Sequence, residues 1–160
     1  MSSIASFIEL PVSALPGLRE VAIPPKKLYG IAKDNYYSYL LQNGREVVHY
    51  RWSGDVVTAV LHYLGEKHDI DLTHSDLDEL ADFLTEARGS SHYLLTASQT
   101  PLKDRLAPRL FAEDELEDYL RELYGMTESG MGKAMLGGID AFHKCLSGLG
   151  RGSVVLVSVG

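Results

Sequence analysis

The chain has 160 residues, 45% hydrophobic and 23% charged, a length and balance that suit one globular domain over residues 1–160 and exclude general disorder. Fifteen basic against twenty-two acidic residues leave a net charge of −7, which argues against a nucleic-acid backbone or an anionic membrane as the partner. One cysteine excludes a disulfide framework and a multi-thiolate zinc site, and no apolar run approaches the roughly 18 residues of a membrane span.

Read along the chain, Met1-Ser2-Ser3-Ile4 lacks the basic-then-apolar pattern of a secretory signal, so a cytoplasmic location is expected. Residues 4–10 alternate after their start and stop at Pro11, which predicts a first strand. Pro24 and Pro25 precede a helix whose apolar face runs Leu28, Ile31, Ala32, Tyr36, Tyr39 and Leu40, ending near Gly44. Asn43-Gly44 is a turn signal, and the β-branched and aromatic run 46–52 reads as a second strand. Ser53 stands where it can cap the next helix, with Val57, Val60, Leu61 and Leu64 inward. Ser75 and Asp78 have capping-box spacing ahead of the stripe Leu77, Leu80, Ala81, Leu84 and Ala87.

Residues 92–96, between serine-rich flanks, read as a third strand. Thr100-Pro101 opens a short helix that Pro108 ends or kinks. Leu116, Tyr119, Leu120 and Leu123 line another helix, which ends at Gly125. Met135, Ile139, Phe142, Cys145, Leu146 and Leu149 mark a final long helix, weakened by Gly137-Gly138. Residues 153–159 are almost wholly apolar, as in a strand buried on both faces. The order is roughly β-αα-β-αα-β-ααα-β, an α/β or α+β layered domain with about six to seven helices. Helical connections between successive strands lead us to expect a small four-stranded mixed sheet, partly parallel.

Charge is unevenly placed. Residues 66–122 hold fifteen acidic and six basic residues, whereas the flanking segments are nearly balanced. One acidic run spans 69–86 and a second spans 113–122, each on a helix whose other side is an apolar stripe. Acids early in a helix are favoured by its dipole at about 0.3–1 kcal/mol each, so part of this pattern is local. The functional reading is a negative face that steers a basic protein partner.

Sites for chemistry are sparse. His68, Asp71 and His74 are the most concentrated metal-type ligands, but the two histidines lack the i,i+4 spacing of a helical zinc pair. Ile70 and Leu72 between them read as apolar plugs that hold the connection to the core. Cys145 falls on an apolar stripe, where a neutral thiol is inert, and Ser53 has no nucleophile-elbow glycines around it. Gly130-Met131-Gly132-Lys133 misses the phosphate-loop spacing and joins two helices. Tyr29 and Tyr37, beside Lys26, Lys27 and Lys33, could add an aromatic protein-binding patch.

These features point to a non-catalytic acidic domain that binds a basic protein, without a cofactor, nucleic acid or membrane. Its most concrete form is an inhibitor of a basic toxin, of the bacterial immunity or antitoxin kind. The expected contacts are Asp78, Asp82, Glu115, Asp118, Tyr29 and Tyr37. Competing readings are a small metal-assisted hydrolase using His68, Asp71 and His74, and a small-ligand regulatory domain at the Arg51-Trp52 corner.

Overall fold

A computed structural model gives the fold, and the structure describes residues 3–26 and 33–160. Strand β1 (Ala5–Pro11) leads through a 3-10 turn to helix α1 (Leu15–Ala22). Helix α2 (Tyr36–Asn43) and strand β2 (Arg45–Val48) follow, then α3 (Gly54–His68), α4 (Asp78–Arg88) and β3 (Ser91–Leu95). Two 3-10 segments, Ala97–Arg105 and Pro108–Leu110, precede α5 (Glu113–Tyr124), α6 (Met131–Ser147) and β4 (Ser153–Val159). Among the described residues no helix is long and apolar enough to cross a membrane. The start of the helix expected after Pro25, with Leu28 and Ile31, lies outside the described residues, as does Tyr29.

The four strands form one sheet in the order β2-β1-β4-β3, and every neighbouring pair is antiparallel. The fold is therefore α+β, and the expectation of a mixed, partly parallel sheet is corrected. The physical reason is the pairing of helices. One helix between two strands carries the chain back to its starting end, so the next strand is parallel. Two helices, such as α1 and α2, carry it down and up again, so the next strand runs the other way. The third connection also traverses the domain with only α5 and α6, because the segments around Pro101 and Pro108 are short 3-10 turns.

Register sets the two faces. Phe7 and Tyr93 flank Val157 in one row, and Ile8 and Leu94 flank Leu156 in the next. Ala5, Phe7, Val155, Val157 and Leu95 pack on α3, α5 and α6, where Phe142 meets Phe7 edge-on with ring centroids 5.5 Å apart. Leu10, Val154, Leu156 and Leu94 pack on α1, α2 and α4. Helices thus cover both faces, which is why β4 has no polar alternation over Val154–Val157. Each large apolar side chain fully buried there contributes about 1.5–3 kcal/mol.

Strand β2 stops at Val48, although the sequence pattern runs to Trp52. The β1–β2 register breaks between Phe7 and Ile8, and Tyr50 leaves the sheet to donate to the Ala134 carbonyl on α6 at 2.9 Å. Ser53 caps α3 as expected, its Oγ accepting from the Asp55 amide. Gly132 permits a close approach of α6 to the start of α5, since a Cβ there would lie 2.5 Å from the Glu113 carbonyl oxygen.

Candidate functional site

Helices α3 and α5 run side by side on one face of the sheet and leave between them a groove of about 480 Å³. Helical spacing builds it. Tyr63, Glu66 and Lys67 recur at i, i+3 and i+4 on α3, while Glu115, Asp118, Tyr119 and Glu122 follow the same spacing on α5. Leu116, Tyr119 and Leu120 turn inward to the core, which leaves the acidic side of α5 along the rim. The α5 helix closes on Gly125 with φ 63°, the left-handed conformation that favours glycine.

The floor is aromatic. Tyr63 and Tyr119 meet edge-on at 5.0 Å, and His68 packs edge-on against Phe111 at 5.0 Å. The Tyr63 hydroxyl is 3.2 Å from His68 Nε2, and Tyr119 donates to Glu66 Oε2 at 3.0 Å. Outside the groove, where His62 lines a separate hollow, its Nδ1 bonds the Tyr124 hydroxyl and the two rings stack. Burial raises the pKa of Tyr119, and the Glu66 carboxylate adds to it; burial likewise raises Tyr63, with help from Glu115. These phenols stay protonated at neutral pH, and Tyr119 is a hydrogen-bond donor.

Four carboxylates line the groove, those of Glu66, Glu115, Asp118 and Glu122, against the single ammonium of Lys67. Asp118 is bonded to Arg121 at 2.9 Å, an exposed pair. Glu115 and Glu122 have no ion-pair partner among the described residues. The arrangement offers hydrogen-bond acceptors, negative potential and aromatic surface, a combination suited to a cationic group.

The other expected contacts lie elsewhere. Helix α4 packs on the opposite face of the sheet from α5, so Asp78 and Asp82 do not share a surface with Glu115 and Asp118. Much of the first acidic run has local work. Asp78 accepts from the Ser75 amide at 2.7 Å, Asp71 from the Thr73 amide at 2.9 Å, and Asp76 from Thr96 Oγ1 at 2.6 Å. Glu79 pairs with Arg19, and Asp82 is exposed at the edge of a hollow of about 260 Å³ that His74 and His92 also line. Tyr37 is 66% exposed on α2, again on the α4 side.

The metal-type ligands do not converge. His68 faces Tyr63 and Phe111, whereas His74 bonds Asp71 at 2.8 Å on an exposed turn. Among the described residues no group of three or more His, Cys, Asp or Glu side chains is placed to hold a metal ion. Ile70 and Leu72 are buried plugs, as their spacing suggests. Burial pushes the Cys145 thiol up to about 12, which leaves it un-ionised. Arg45 pairs with Glu9, and Trp52 lies against α6 near Gly130 and Gly137.

Of the groove residues, Glu115 and Asp118 are among the contacts the sequence singles out and Glu122 belongs to the same acidic run, whereas Tyr63, Glu66 and Tyr119 are not singled out as contacts. Tyr119 was read as core alone, and Tyr63 and Glu66 belong to a different helix. The available signal was an aromatic and a carboxylate at i,i+3 on the edge of each helix's apolar stripe. Compared with known proteins, the chain matches no family model, no curated protein and no solved structure.

Proposed function

We propose that the protein is a non-catalytic acidic binding domain that seats a cationic segment of a partner protein in the α3–α5 groove. The observation that carries this reading is the joining of four carboxylates and an aromatic floor in one concave surface. A lysine or arginine side chain entering it gains charge-assisted hydrogen bonds from the rim and aromatic contact below. Leu123, 57% exposed at the groove's edge, offers an apolar contact to the stem of such a side chain. An inhibitor of a basic toxin is the concrete form we favour, because a negative surface speeds capture of a positively charged enzyme.

The test uses a synthetic lysine- and arginine-rich peptide as probe, with binding followed by calorimetry at low and high salt. The wild-type protein is expected to bind it, with affinity falling as salt rises. Glu115→Gln, Asp118→Asn and Glu122→Gln combined should weaken binding by about tenfold or more, through lost charged contacts. Glu79→Gln with Asp82→Asn, on the opposite layer, should leave it within about twofold. Equal binding by the two variants would remove the groove from the proposal.

A further inference from the structure

On the other face of the sheet, His92 of β3 is 5% exposed, and both of its ring nitrogens are engaged. Nδ1 lies 2.8 Å from the Ser90 carbonyl oxygen, which can only accept, so Nδ1 carries the proton. Nε2 is therefore the acceptor, 3.1 Å from the hydroxyl of Tyr36, which donates. Tyr36 is the first residue of α2 and is 2% exposed. The neutral ring thus ties the N-terminal end of α2 to β3.

The same cluster gathers four other parts of the chain. The Arg88 guanidinium of α4 lies 4.4 Å from the centroid of the Tyr36 ring and 5.5 Å from that of Tyr37. It pairs with Asp34 at 2.7 Å, just before α2, and donates to the Ala22 carbonyl at the end of α1. Thr85 of α4 accepts the His92 amide at 3.0 Å, and Ser158 of β4 lies beside it in register. The titratable groups around His92 are Arg88 and Asp34, Tyr36 and Tyr37, and, around the hollow that His92 lines, His74, Asp78, Asp82 and Tyr93. The middle of α2 is held separately, by Tyr39 Oη donating to the Ala14 carbonyl at 2.7 Å.

We propose that His92 is an acid-operated latch on the N-terminal end of α2. A proton on Nε2 turns the acceptor of Tyr36 into a donor and places a second cation beside Arg88 in a site with little water. Tyr36 can then only accept from His92, its own hydroxyl proton loses the one acceptor that held it, and residues 33–37 part from α4 and β3 while the sheet stays intact. Burial holds the His92 pKa below the ordinary imidazole value, Arg88 adding to this and the Ser90 bond opposing it. Once released, the ring regains an ordinary pKa near about 6.5. In the window below that value the released state binds more protons, so acid favours release and neutral pH keeps the latch closed.

Amide exchange of residues 33–40, divided by intrinsic rates, tests this at about pH 7.5 and about pH 5.5. Opening of that segment should increase by up to about tenfold from pH 7.5 to pH 5.5, because the open-state pKa lies about one unit above the lower pH, while β4 amides do not respond. His92→Gln keeps an oxygen for Tyr36 but cannot titrate, and it should abolish the acid response. Tyr36→Phe should raise opening at both pH values. An acid response retained in His92→Gln, or none in the wild type, overturns the latch. If His92→Gln does not fold, the imidazole titration of wild-type His92 followed by NMR decides. Its midpoint must lie below the ordinary value, with the rise in exchange running from the ordinary value down toward that midpoint; a midpoint at or above the ordinary value overturns the proposal.

Discussion

A methyl group on Gly132 would press on the backbone oxygen of Glu113 at 2.5 Å, and a backbone atom cannot swing aside as a side-chain end can. The sequence presents Gly130 and Gly132 as part of a failed phosphate motif; the structure gives them packing roles. Gly130 starts α6 from a φ of 87°, and Gly132 lets α6 close on the start of α5. Gly132→Ala should cost about 1–3 kcal/mol, read as a lower urea midpoint with an unchanged slope. The candidate site shows the limits of residue types taken one at a time. Glu115 and Asp118 stood out because an acidic run is visible in one dimension. Tyr63 and Glu66 enter the groove only because α3 packs beside α5, and that contact joins residues more than fifty positions apart. Side chains from separate helices carry no shared spacing that a linear reading can detect.

At the level of elements, strand positions were legible and strand directions were not. The apolar run that marked β4 reports helical cover on both faces, whichever way its neighbours point. Direction depends on whether an odd or an even number of helices crosses the domain between strands. A proline-bearing segment at 97–105 that coils as 3-10 structure does not cross it. The Ser53 cap of α3 was also legible, because a cap acts within one turn, whereas Ser75 and Asp78 close the turn before α4, whose N-cap Leu77 makes no side-chain bond. The Asp78 carboxylate holds the Ser75 amide at the start of α4, and the Ser75 hydroxyl accepts from the Leu77 amide. Asp78→Ala should therefore lower stability by about 0.5–2 kcal/mol in thermal unfolding. It should leave binding of the cationic peptide unchanged, since α4 lies on the far face of the sheet from the groove.

For the whole molecule, the two central strands are the first and the last of the four, and both are hydrogen-bonded along two edges. Amides of Val154–Val157 should be among the slowest to exchange in the native protein, opening only with global unfolding. Rapid exchange there would mean that β4 is not the interior strand. The outer strands differ in protection. On β3 the outward amide of His92 is taken by Thr85, and the amide of Thr96, just beyond the strand, is taken by Gln99. These side-chain bonds blunt an edge that could otherwise template pairing with another chain. The negative field is likewise divided, with the α5 side facing away from the α4 side, so the molecule presents two acidic surfaces in different directions.

The pairing of β1 with β4 joins segments separated by nearly the whole chain, with Ile4 and Gly160 exchanging backbone hydrogen bonds. During synthesis β3 leaves the ribosome long before the one strand that it adjoins, and it must wait with its inner edge open. Among the described residues six helices are made ahead of β4, so the apolar surface that packs on that strand stays uncovered until it arrives. Such contacts between distant parts of a chain slow folding and lengthen the time in which sticky intermediates survive. The same closure that ties the two ends together therefore makes the last strand the step on which a finished fold waits.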